Sequence, residues 1–181
     1  QGSAPQSAST SAGHVGPHAP PSGGLRASEK DFSDIRVYFH CYPPGPPDRA
    51  AYQHGLVCLA EGLEELGVAT FANRDYWRRS LKGDDFLLRH DPRVRPRDCD
   101  IVVADHFWTV YGHGLPDGLL DRNRTYEAVY IDGADGYPTF SWSEQARGFD
   151  IILRAQYNSR QRNPPNMRPW AFGLSDRIIR Y

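Results

Sequence analysis

The chain has none of the glycine-rich signatures that mark the commonest α/β enzymes. No Gly-x-Gly-x-x-Gly follows its first apolar run, and there is no Gly-x-x-x-x-Gly-Lys-Ser/Thr and no Gly-x-Ser-x-Gly. Those loops let backbone amides approach a pyrophosphate or expose a serine nucleophile, so dinucleotide enzymes, P-loop NTPases and α/β-hydrolases are disfavoured. Cysteine is scarce. Cys41, Cys58 and Cys99 are an odd set without metal-type spacing, which argues against a disulfide framework and for a reducing compartment. No apolar run approaches the roughly 18 residues of a membrane span, and no charged-then-apolar signal peptide opens the sequence. A cytoplasmic protein without a membrane span is the expectation. An excess of either charge is missing too: 21 Lys and Arg against 22 Asp and Glu give a net charge of -1. That balance is not the footprint of a polyanion-binding surface, and no nucleic-acid partner is expected. The clusters Arg74, Arg78, Arg79, Lys82 and Arg89, Arg93, Arg95, Arg97 could each touch phosphate, but solvated faces are the simpler reading.

Large apolar side chains are also nearly absent from residues 1–30, where Ser, Ala, Gly and Pro dominate. Such a segment cannot bury enough surface to offset its ordering entropy, which predicts a disordered leader. The remaining residues, 31–181, suit one α/β domain.

Within that domain five apolar runs stand out: Ile35 to His40, Val68 to Asp75, Asp100 to His106, Tyr126 to Gly133 and Phe149 to Arg154. Between the first two, Leu56, Leu59, Leu63 and Leu66 recur at threes and fours, a helical stripe over Ala51 to Leu66 that stops at Gly67. Asp48 suits the N-cap, after the stiff Pro-rich loop from Tyr42 to Arg49. Strand, helix, strand implies a parallel pair. A short helix is expected near Asp84 to Leu88 and another at Leu119 and Leu120. After Arg154 the chain reads as extended, ending without a further α/β unit. The predicted fold is a three-layer, Rossmann-like α/β domain with a mainly parallel sheet of five or six strands.

Four of the five runs pass into His, Asp or Asn at their carboxyl ends, which is where open parallel sheets bind ligands. His40 follows the first strand, and its free pKa lies near neutrality, suiting a base or a hydroxyl binder. His54 sits at the helix start. Asp105 and His106 close the third run. Adjacent strand residues face opposite sides, so only one of the two should face the cleft. Asp132 and Asp135 carry hard oxygens, but no third acidic ligand lies near. A glycine-marked turn is the simpler reading, and no metal site is assigned. Tyr157 follows the fifth run, among aromatics that also include Phe107, Trp108, Tyr111, Tyr137 and Trp170. Such faces suit flat partners or sugar rings, and equally suit packing.

The layout from His40 to Arg49, the Tyr52-Gln53-His54-Gly55 opening, the Asp105-His106 strand end and the closing Pro169 to Leu174 segment resemble the amino-terminal, acceptor-side domain of a GT-B type glycosyltransferase. The resemblance implies a carbohydrate or other hydroxyl acceptor. His40 or Asp105 would be the base, with His54, His106, Asp132, Asp135 and Tyr157 binding substrate. It implies no cofactor beyond a sugar nucleotide as co-substrate, bound mainly by a carboxyl-terminal domain absent from this sequence. Two other readings stand beside it: a metal-dependent hydrolase using Asp105, His106, Asp132 and Asp135, and a non-catalytic binding module relying on Trp170 and Phe172. The sugar-transfer reading requires His40, Asp105 and Asp132 to converge on one crevice.

Overall fold

All five apolar runs become strands of one parallel sheet. A computed structural model describes residues 31–42, 53–80, 83–112, 114–135, 140–171, 173–175 and 179. The predicted leader, Asp48, Tyr137 and Phe172 lie outside the described residues. β1 (Arg36–His40) pairs in parallel with β2 (Ala69–Ala72), joined through α1 (His54–Glu65). A two-stranded antiparallel ribbon follows, β3 (Tyr76–Arg78) with β4 (Phe86–Leu88). The chain then returns to the other side of β1 as β5 (Ile101–Asp105). After the four-residue helix α2 (Phe107–Val110), β6 (Glu127–Asp132), β7 (Ile151–Arg154) and β8 (Met167–Pro169) add successively, all parallel. The six-stranded order is β2-β1-β5-β6-β7-β8. The direction of strand addition reverses at β1, so the switch point lies between the carboxyl ends of β1 and β5, where doubly wound sheets hold their ligands. No helix among the described residues is long and apolar enough to cross a membrane.

Strand pleating sorts the side chains into two cores. Val37, Phe39, Val103, Val129 and Ile131 pack with Leu56, Val57 and Ala60 of α1 and with Trp77, Leu87 and Leu88 of the ribbon. Tyr38, Val102, Ala104, Ala128, Tyr130 and Ile152 pack on the other face with Leu119, Ala146 and Phe149. Both faces are covered, as a three-layer parallel sheet requires. The covering on the second face is turns and single-turn 3-10 segments (Phe140–Trp142 and Gln145–Gly148) rather than long helices.

Two local expectations differ from the structure, and the reading of the tail holds. Phe86 to Leu88 forms a strand, because pairing with β3 buries Leu87 and Leu88 in a way one isolated helical turn would not. Leu119 and Leu120 lie in consecutive hydrogen-bonded turns (Leu119 N–H to Pro116 O 3.2 Å, Asp121 N–H to Gly118 O 3.1 Å), since Pro116 and Gly118 interrupt any helix there. The extended tail supplies a sixth strand, β8, without a helical crossover. The sheet's two margins are β2 and β8. Beside β2, the Ala72 amide donates to the Arg89 carbonyl at 3.0 Å and Ala72 bridges His90. β8 ends in Arg168-Pro169.

Helix α1 ends where Gly67 adopts φ +74°, a left-handed stop that glycine takes without Cβ strain. Leu66 therefore leaves the apolar stripe and is 56% exposed, whereas Val57 is 0% exposed. Val57→Ala is expected to cost about 2 kcal/mol of unfolding free energy in urea, and Leu66→Ala less than about 0.5 kcal/mol. Equal costs would misplace the inner face of α1.

Candidate functional site

The carboxyl ends of β5 to β8 and the start of α1 enclose a cavity of about 200 Å³, lined among others by Gln53, His54, Asp105, His106, Gly133 and Trp170. Asp105, Ile131, Ala155 and Trp170 reach it from successive strand ends on the α1 side of the sheet. Asp105 is 2% exposed. Its Oδ1 accepts the Phe107 backbone N–H at 3.1 Å, while Oδ2 has no hydrogen-bond partner. Burial disfavours the charged form of this carboxyl and pushes its pKa up to about 8, only partly opposed by the Phe107 amide. Trp170 Nε1 also lacks a partner. One unmet acceptor and one unmet donor thus belong to the wall of the same cavity, where native structures rarely leave either unpaired.

Two histidines complete the wall. Asp105 is the last strand residue, and His106 already has helical dihedrals, φ -63° and ψ -16°. The pleat rule therefore stops between them, and both line the cavity. The Gly133 amide donates to His106 Nδ1 at 3.3 Å, which leaves Nε2 as the protonated nitrogen. Burial holds the His106 pKa below the usual imidazole range, against a raising influence from Asp132. Gly133 lets the ring approach closely: a Cβ there would stand 3.0 Å from His106 Cε1, and the imidazole would have to shift. His54 Nε2 lies 2.7 Å from the Gly173 carbonyl. A carbonyl only accepts, so that nitrogen is a donor.

His40, Asp132, Asp135 and Tyr157 lie elsewhere. His40 is registered with Ala104, which packs in the second core, so its ring faces away from Asp105. It lines a separate groove with Arg95, Asp117 and Tyr126, and burial lowers its pKa to about 4. Asp132 is 1% exposed and is engaged by Arg154: Nη1 lies 2.7 Å from Oδ1. Ser141 Oγ donates to Asp132 Oδ2, and the Ala134 amide donates to Oδ1 at 3.1 Å. Asp135 is exposed and accepts from Gln156 Nε2. Tyr157 is 36% exposed. His40, Asp105 and Asp132 therefore do not converge on one crevice. Among the described residues, no group of three or more His, Cys, Asp or Glu side chains is placed to hold a metal ion.

Sequence reasoning named Trp170 among the aromatics suited to a flat partner without placing it beside Asp105, and missed Arg154 as the partner of Asp132. The signal for Arg154 was present: a cation closing an apolar strand beside another strand that closes on an acid. Trp170 needed β8, and a strand of three residues gives no periodicity to read. No protein-family model, curated protein sequence or solved structure matches the chain, so the geometry carries the functional argument.

Two measurements test this site. Asp132→Ala removes the carboxylate facing a buried guanidinium and is expected to cost about 3–5 kcal/mol in urea unfolding, while an apolar pair, Asp132→Leu with Arg154→Met, costs much less. For Asp105, the folded state keeps a proton that the unfolded carboxyl releases near pH 3.8. Stability attributable to Asp105 is therefore greatest below about pH 4, falls by about 1.4 kcal/mol per unit as pH rises to about 8, and is flat above. Subtracting the Asp105→Asn variant at each pH isolates that slope. A difference independent of pH would place the carboxyl in an ordinary, hydrated setting.

Proposed function

We propose that this chain is the acceptor-side domain of a sugar-transfer enzyme, with Asp105 as the base that takes the proton from the acceptor hydroxyl. The observation that carries the reading is the buried Asp105 carboxyl, with one oxygen unpartnered and its pKa near 8, in the wall of a cavity at the switch-point end of the sheet. A base is most effective when its pKa lies near the working pH. Asp105 meets that condition, and His40, held to about 4 on the opposite face, does not.

In the proposed step the acceptor O–H gives its proton to ionised Asp105 as its oxygen bonds to the anomeric carbon of the donor sugar. The bond from that carbon to the nucleotide leaving group breaks, and the leaving group departs with the electron pair. Trp170 Nε1 and His106 Nε2 are N–H donors for neighbouring oxygens of the acceptor. The donor sugar nucleotide comes from a separate domain. The hydrolase reading draws no support from the geometry, since Asp132 is engaged by Arg154 and faces away from Asp105.

Four tryptophans give resolvable indole N–H signals, and Trp170 reports the cavity. Titration with mono- and disaccharides is expected to shift the Trp170 signal at millimolar concentration, and Asp105→Asn is expected to weaken binding about tenfold. In the enzyme assembled with its donor domain, transfer rises with pH to a plateau above about 8 and is lost in Asp105→Asn. Saccharides that leave Trp170 unmoved, or an Asn variant that retains full transfer, would overturn the assignment.

A further inference from the structure

A second cavity, of about 620 Å³, lies at the opposite, amino-terminal ends of β7 and β8. Trp142, Arg147, Phe149, Arg162, Asn163 and Asn166 line it. Its chemistry differs from that around Asp105 in three respects. First, Arg147 and Arg162 are exposed, and neither takes part in an ion pair among the described residues. The cations nearby that do, Arg124 with Asp150 and Arg154 with Asp132, are neutralised at 2.7 Å each. Two uncommitted guanidiniums at one cavity are a receptor for a bidentate anion such as phosphate. Second, the half-buried Trp142 contributes aromatic surface, above a Phe149 that is 3% exposed and packs against Tyr130 and Phe140. Arg154 already stacks over the Trp142 ring at 5.6 Å, and the Trp142 indole N–H is turned to the Arg162 carbonyl at 3.4 Å, which fixes the ring's placement.

The third feature is Asn163. Its Nδ2 donates to the Asn158 carbonyl at 2.8 Å and to the Gln161 carbonyl at 3.3 Å. Both neighbours are acceptors, so the amide orientation is determined and the carbonyl oxygen is the other atom. That oxygen, Oδ1, is shielded from solvent and has no partner. Asn166 Nδ2 donates to the Phe149 carbonyl at 2.8 Å, which anchors the segment bearing Asn163 to the segment bearing the aromatics. A buried acceptor without a donor is costly, and a ligand N–H would relieve it.

We propose that this amino-terminal cavity binds a nucleoside phosphate. Arg147 and Arg162 receive the phosphate, the flat base lies against Trp142, and Asn163 Oδ1 accepts an N–H from the base edge. The three requirements (an anion, a flat ring and an N–H donor) come together in that ligand class, and inorganic phosphate or a bare nucleoside meets only part of them. The volume suits a ligand of this size, because small-molecule sites span about 300–1,000 Å³. This site is independent of the sugar-transfer reading, since its lining shares no residue with that of the Asp105 cavity.

The test is titration of the full chain with AMP, with adenosine and with inorganic phosphate, read by calorimetry and by the Trp142 and Trp170 indole N–H signals. AMP is expected to move the Trp142 signal and leave Trp170 in place, and to bind at least about tenfold tighter than adenosine or phosphate alone. Arg147→Gln and Arg162→Gln, both at exposed positions, are each expected to weaken AMP about tenfold with the folded spectrum unchanged. Asn163→Ala removes the acceptor without adding charge, and it is expected to weaken AMP while leaving the weak phosphate response close to that of wild type. A response confined to Trp170, equal binding of AMP and inorganic phosphate, or no binding of AMP at millimolar concentration would each overturn the proposal.

Discussion

The alternation of a parallel sheet is the constraint on which this molecule's chemistry depends. In register, His40 lies beside Ala104 and Asp105 lies beside Ile131. One residue of offset sends the imidazole to one layer and the carboxyl to the other. The same parity carries Ile131, Ala155 and Trp170 to the layer of α1, so four successive strand ends supply one cavity wall. It also sends Asp132 and Arg154, which are register partners, to the opposite layer, where they meet each other.

The two buried carboxyls show what a partner changes. Asp132 has a guanidinium, a hydroxyl and an amide around it, and its role is to tie the ends of β6 and β7. Asp105 has the Phe107 amide on one oxygen and nothing on the other. Equal burial therefore has opposite consequences. Compensated charge is structural, and uncompensated charge becomes a proton reservoir near neutral pH. The contrast between His40 and Asp105 follows the same logic, since desolvation pushes an imidazole down and a carboxyl up.

Much of the scaffold was legible in the residues. The apolar runs fixed all five of the longer strands of the sheet to within a few positions, because a strand buried on both faces must be almost continuously apolar. The helix before β2 was legible from its leucines and from Gly67. The ribbon and β8 were not, because three-residue strands have no period and owe their existence to pairing. At the site, Asp105 and His106 were visible as a strand end, but which faced the cleft was not. The answer turned on His106 entering a helical conformation one residue after the pleat ended. The convergence expected for His40 and Asp132 failed for the converse reason, since both obey the pleat.

The margins of the sheet carry a consequence for assembly. An unprotected outer strand is a template on which another polypeptide can add. Here the backbone around Arg89 and His90 covers the Ala72 end of β2. The β8 side is three residues long and closes with a charged side chain and an imino acid that has no amide hydrogen to donate. Lateral growth of the sheet is discouraged on both flanks by different means, so association with other macromolecules is directed to side-chain surfaces rather than to main-chain zippering.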